Sequence, residues 1–338
     1  MQQAKVITFG EMMMRLSPPN FARFEQAHSF DIIFGGCESN VSVALATWGL
    51  PSAHITRFPA NALGNMALQF LRQKGVDTSA IQLQGERLGL YFLENGVAMR
   101  SGRIVYDRYE AAFAKIEVGA FDWEQILSDA TWFHWSGITP ALSANCAEEC
   151  KRALQVARKK NLFISADIYY RSNLWRYGKK SSEVMPELVQ YCDMVLANEQ
   201  NMEEIFGVEE VKTENSFVSS CEKMMQRFPQ ISKIVDTERI SISASHNRIK
   251  AKLYDGKSFF ETEYQDINPI VDRIGGGDAF MAGLIYGLIH FQEDTQKALD
   301  FGICASALKH TIEADVNLIS VAEIENLMKG DSSGRLRR

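Results

Sequence analysis

Asp272-Arg273-Ile274-Gly275-Gly276-Gly277-Asp278, running directly into Ala279-Phe280-Met281-Ala282-Gly283-Leu284-Ile285, decides how this chain reads. Successive glycines let the backbone turn tightly and bring its N–H groups close to a ligand that a Cβ would hold off. The apolar run behind them predicts a buried helix. Those amides then lie at a helix N-terminus, where unsatisfied donors and the dipole favour an anion such as a phosphate. Asp278 sits at the junction, where a carboxylate could take a proton from a hydroxyl beside that anion. The same residues also describe a plain turn closed by a capping aspartate, and the stretch alone does not choose between the two.

Upstream, strand-like and helical runs alternate. Segments 131–135, 162–167, 194–197 and 233–235 read as strands, and 146–159, 183–191, 201–206 and 219–227 as helices. That order implies a mostly parallel sheet sandwiched by helices, with ligands beyond the carboxyl ends of the strands. Near the start, the strand 6–9 is followed by Gly35-Gly36-Cys37-Glu38-Ser39-Asn40, which opens a helix closed by Gly49. Asn40 reads equally as a partner for a polyol hydroxyl and as a helix-start residue. Between these elements, 90–93 and 103–106 flank Asn95-Gly96, a hairpin signal. With 13–34, the segment 88–114 forms a small β flap, or lid, inserted in a single domain over 1–330, and 331–338 reads as a frayed tail.

A net charge of -6 gives no reason to expect nucleic acid or an anionic membrane as partner. No apolar run approaches the roughly 20 residues a bilayer span needs. No signal-peptide pattern precedes the first strand, so a cytoplasmic location is expected. The six cysteines are scattered and lack zinc-site spacing, and they read as reduced, packed thiols.

Gly35-Gly36 with Asn40, and 272–278 far downstream, together resemble the paired signatures of the ribokinase-like (phosphofructokinase-B) carbohydrate kinases. Within that family the likeness runs furthest to the 2-keto-3-deoxygluconate kinases. It is carried by Phe9-Gly10-Glu11, Arg15-Leu16-Ser17-Pro18-Pro19, 87–92, Val105-Tyr106-Asp107-Arg108, 133–140, Asp167 with Arg171, and 308–312. The resemblance implies an α/β, ribokinase-like fold and an ATP-dependent, Mg2+-assisted kinase that makes the 6-phosphate of a keto-sugar acid. It assigns the sugar acid to Gly36, Asn40, Tyr91, Tyr106, Arg108, Arg171 and Asp315, and the base to Asp278. The anion hole falls to Gly275, Gly276 and Gly277. Nucleotide contacts fall to Asn198, Thr237 and Arg239 with Gly275 and Gly277; with Asn201 at the family's glutamate position, Glu199 is expected to take the metal in its place, Glu203 and Glu204 being the alternatives that read better as solvated helix surface. A homodimer paired through the lid is a further implication.

The chemistry of these residue types agrees. An arginine fork suits a carboxylate, and a neutral sugar would not need one. Taken singly, Arg108 or Arg171 reads equally as an ion pair, and Tyr91 or Tyr106 as strand packing. Three stretches depart from the family pattern. Asn201 stands where an Asn-x-x-Glu motif has its glutamate. The nucleotide loop expected at 236–242 carries no glycine, and Glu313-Ala314-Asp315 replaces Pro-Gly-Asp. A kinase of a neutral ketose or pentose, or a sugar-binding paralogue without turnover, are the alternatives.

Overall fold

Val6-Ile7-Thr8-Phe9 is buried along its whole length, as a parallel strand covered by helices on both faces must be. In the computed structural model, which describes residues 4–169, 172–209, 215–292 and 294–331, this strand lies inside a nine-stranded sheet. The N-terminal part runs β1 (Val6–Phe9), β2 (Met13–Ser17), β3 (Asp31–Gly35), α1 (Cys37–Thr47), β4 (Ser52–Ile55), β5 (Arg57–Phe58), α2 (Ala62–Gln73) and β6 (Gln82–Leu83). Next come β7 (Leu90–Glu94), β8 (Arg103–Asp107), α3 (Trp123–Ile126), β9 (Trp132–Ser136), α4 (Thr139–Leu142), α5 (Ala144–Lys159) and β10 (Phe163–Asp167). Then follow α6 (Ser181–Val189), β11 (Met194–Leu196), α7 (Glu199–Phe206), α8 (Ser216–Arg227), β12 (Lys233–Ser243) and β13 (His246–Tyr254). The chain closes with β14 (Phe259–Glu261), β15 (Gln265–Ile267), α9 (Gly276–His290), α10 (Thr295–Lys309) and α11 (Val321–Met328).

Strands β4, β1, β9, β10, β11 and β12 pair in that order, all parallel, and β13 to β15 extend the sheet antiparallel. Strand alternation sends Ile7, Phe133 and Ile164 to one core with α5 to α8, and Val6, Trp132 and Met194 to another with α1, α9 and α10. Helix α9 is apolar nearly all round because it is buried between the sheet and α10. A Cβ on Gly283 would come within 2.8 Å of Gly302 Cα, so the two helices touch backbone to backbone.

The segment 236–242, expected as a loop, instead continues β12 and pairs with β13 from Asp236–Lys252 to Ser241–Asn247. Period-2 alternation of Ile249, Ala251 and Leu253, all buried, marks the partner strand β13.

The lid is a separate four-stranded sheet ordered β3-β2-β7-β8. Registers put Arg15, Tyr91 and Tyr106 in one row, and Ile32, Leu16, Phe92 and Val105 in a row on the opposite face. Residues 111–114 have already left the lid: Phe113 packs 5.3 Å from Phe9 in the main core. The tip of the lid loop meets the tip of the β12–β13 hairpin. Ala244 N–H donates to Ala98 O at 2.7 Å, and Ala98 N–H donates to Ser245 Oγ at 2.9 Å. Ala98 holds φ at 50° there, in the left-handed region.

None of the six cysteines forms a disulfide, and all but Cys37 are buried. Among the described residues no helix is long and apolar enough to cross a membrane. The tail at 332–338 lies outside the described residues.

Candidate active site

Two helices begin face to face. Gly36 caps α1, and a Cβ there would come within 2.1 Å of Glu11 O, so only glycine fits under that strand end. One turn into α1, Asn40 Oδ1 accepts the Gly36 N–H at 3.3 Å and its Nδ2 donates to Asp278 Oδ2 at 2.6 Å. Asp278 lies in the first turn of α9, so the contact joins the start of one helix to the start of the other.

The glycines before Asp278 have different reasons to be glycine. Gly275 holds φ at 80°, and its added Cβ would strike Asp315 O at 1.8 Å. Gly276 lies against the His310 ring, 2.4 Å from an added Cβ, whereas Gly277 faces open space. Ala279 N–H closes the first turn onto Gly275 O. The Gly277 and Asp278 amides find no acceptor among the described residues, the state in which a helix start receives an anion.

Burial pushes the Asp278 carboxyl up to about 6, against the pull of Asn40, and Asp167 adds to the rise. Such a group is ionised at neutral pH yet basic enough to accept a hydroxyl proton. Glu38, on α1, is pushed up to about 7 by burial while accepting from Ser136 N and Oγ and from Thr139 Oγ1.

Beneath the turn lies a buried charged group. Arg15 Nη1 is 2.7 Å from Asp272 and 2.8 Å from Asp315, and Tyr91 OH donates to the second Asp315 oxygen. Lys309, fully buried, donates to Asp272 O at 3.3 Å. Burial lowers its pKa, while Asp272 and Asp315 favour its charge. Asp315 and Tyr91, expected to bind sugar, thus spend their polar atoms on one another and on Arg15, because water is excluded and each must be paired.

Tyr106 is half exposed, its ring 6.0 Å from that of Tyr91, with the Arg108 guanidinium 5.9 Å from the Tyr106 centroid. Arg108, expected as a free clamp, is buried and gives Nε (2.9 Å) and Nη2 (2.5 Å) to one oxygen of Glu11. Its charge reaches the site already countered, since a buried arginine without a partner would be costly. Arg171 lies outside the described residues.

The nucleotide assignments separate. Asn198 Oδ1 caps α7 by accepting from Asn201 N at 2.8 Å. Glu199, assigned to the metal, is 3.2 Å from Lys252 Nζ and accepts from Ser216 Oγ, so its charge is already balanced. Lys252 also reaches Asp236 at 3.3 Å, which accepts from Tyr169 OH at 2.6 Å. Thr237 adjoins Tyr169. Exposed Arg239 lies close enough to Arg273 and His310 to help depress both, after burial. This positive rim beside an open glycine fits a polyphosphate. Among the described residues no three His, Cys, Asp or Glu side chains gather to hold a metal. A Mg2+ ion held largely by nucleotide phosphates does not require such a cage.

Arg15, Glu11, Glu38 and Lys309 lie in stretches the sequence singles out, but no role was assigned to any of them there. Only Arg15 carries a local signal, a charge set between apolar neighbours in Met14-Arg15-Leu16.

The pfkB family carbohydrate kinase pattern matches residues 3–314. A 2-dehydro-3-deoxygalactonokinase from Haloferax volcanii is 31% identical over 333 residues, 98% of each chain. The crystal structure of 2-dehydro-3-deoxygluconokinase from Thermotoga maritima superposes with a TM-score of 0.91 at 39% identity, covering 97% of this chain and 100% of that one. A protein described as ribokinase II from E. coli, in complex with ATP and Mg2+, shares the fold alone, with TM-score 0.79 at 18% identity over 97% of this chain and 99% of that one.

Proposed function

The chain belongs to the pfkB family of carbohydrate kinases, and we propose that it is the ATP-dependent kinase of 2-keto-3-deoxygluconate that makes the 6-phosphate. The observation that carries this reading is the Asn40–Asp278 contact beside the open face of Gly277. Asp278 accepts the proton of the terminal sugar hydroxyl, held ionised near neutrality by Asn40. The free amides at the start of α9 take the charge that develops on the transferred phosphoryl group. Mg2+ bound with the nucleotide would supply further neutralisation of phosphate charge. Lid residues Tyr91 and Tyr106 wall the sugar side and exclude water.

The test is ADP release with 2-keto-3-deoxygluconate for wild type and Asp278→Ala. Loss of the base lowers kcat by roughly 10²–10⁴-fold with sugar affinity nearly unchanged. A variant that keeps its turnover would refute the assignment, and one that fails to fold would make Asp278 structural.

Two further substrates have specific support. The galactonate epimer is favoured by the Haloferax relative, and a neutral ketose by the Glu11–Arg108 pair, which leaves Arg108 less charge for an acid. A substrate panel differing at C4 and in the carboxylate separates the three. We also propose that a second copy of this chain covers the outer lid face, where Ile32 and Val105 stand more than half exposed. Sedimentation of wild type against Val105→Asp tests that pairing.

A further inference from the structure

One cation ties the lid to the phosphate-binding turn. Arg15 belongs to lid strand β2, yet its side chain is 1% exposed and bridges from the lid to the main domain. Its Nη1 is shared by Asp272 and Asp315, its Nε donates to Ser17 Oγ at 2.8 Å, and Nη2 lies 3.5 Å from Asn95 Oδ1. The two carboxylates come from the two segments that wall the glycine turn: Asp272 precedes it in the chain, and Asp315 packs against Gly275. Asp272 Oδ1 accepts from Ile274 N at 3.0 Å and so shapes the approach to Gly275. The Asp315 carbonyl is the group packed against Gly275 on the other side. Tyr91, from the neighbouring lid strand, completes the set through Asp315.

Stability alone is a weak reason for such an arrangement, because buried ion pairs are often replaceable by apolar side chains of similar volume. A planar fork that reaches two carboxylates and a hydroxyl at once fixes geometry in a way a point charge does not. We propose that Arg15 is a positioning residue for phosphoryl transfer: from the lid it sets the spacing of the two walls of the glycine turn, and with it the aim of the Gly277 and Asp278 amides. This rests on the kinase reading above. Arg15 touches no reacting atom, so it acts on the step after both substrates are bound.

Arg15→Lys retains the charge but not the fork. Steady-state kinetics are read with calorimetry, which counts sugar-binding sites so that kcat is expressed per competent site. The expected result is a cooperative melt, sugar affinity within a few-fold of wild type, and kcat per site reduced by ~10²-fold, the scale of small misplacements in an oriented reaction. A kcat per site equal to that of wild type overturns the proposal. So does a loss of activity matched by loss of binding sites, which is what a merely structural role produces. Should Arg15→Lys fail to fold, Ser17→Ala frees only the Nε edge. Several-fold loss of kcat at unchanged sugar affinity then supports the proposal, and unchanged kcat overturns it. Wild type without turnover would instead sink the kinase reading itself, so the two failures are distinguishable.

Discussion

Removing the amide that faces the base should change how the enzyme responds to pH, and by an amount the geometry sets. Asn40→Ala deletes the 2.6 Å donor to Asp278. A hydrogen bond to a charged group contributes about 1.5–3 kcal/mol, and at about 1.4 kcal/mol per pKa unit its loss raises Asp278 by about 1–2 units. Two effects favour the lower end. The shorter side chain lets water toward a carboxyl that burial had raised, and Cys37 still hydrogen-bonds to it. The acidic limb of kcat/KM, which reports the free enzyme, should therefore move from about 6 to about 7. The assay is ADP release at sub-saturating sugar across that range, on a pH-stat or in constant-ionic-strength buffers. Asn40 also accepts the Gly36 N–H and so fixes the start of α1 beside Asp278, and its loss should lower the whole profile as well. The midpoint, not the height, is the readout. A limb that stays at its wild-type position would refute the claim that Asp278 is the titrating base held by Asn40.

Three further expectations follow from the same contacts. Gly276→Ala should destabilise the protein by about 1–3 kcal/mol, because its methyl meets the His310 ring, whereas Gly277→Ala should melt like wild type; calorimetric melting compares the pair. Gly283→Ala should likewise lower the melting temperature by wedging α9 from α10 at Gly302. His54 and His134 are buried neutral, each held down to about 3 by burial. Their folded pKa lies below the unfolded value near 6.5, so the stability they secure is complete above about 6.5 and falls by about 1.4 kcal/mol per histidine per unit as pH drops below it. Denaturant midpoints at stepwise lower pH check the sign, and His134→Gln should flatten the slope.

That Asn40 and Asp278 belong to one site was expected from the family resemblance, and both lie at helix starts announced by glycines; their direct hydrogen bond was not anticipated. The alternation of strands and helices gave the parallel part of the sheet for a local reason. What was not legible was the partner of each buried charge. Glu11 and Arg108 are 97 residues apart, and Arg15 reaches residues 257 and 300 positions away. No local pattern encodes such pairings: an arginine set between apolar neighbours can mark burial but names no partner. The strand β12 was cut short because its second half is exposed and carries Glu238 and Arg239, which resemble loop residues. Its pairing with β13 overrides that weak local preference.

The touching loop tips have a mechanical corollary. An alanine held at φ 50° sits roughly 1–2 kcal/mol above its relaxed backbone, and Ala98 is kept there by the lid's own turn, closed by Val97 N–H to Arg100 O and Arg100 N–H to Val97 O at 2.9 Å each. Parting lid from hairpin therefore costs the two bridging hydrogen bonds and recovers none of that strain. A glycine at position 98 would relax the turn whether or not the tips touch, and so steady the lid loop in both states.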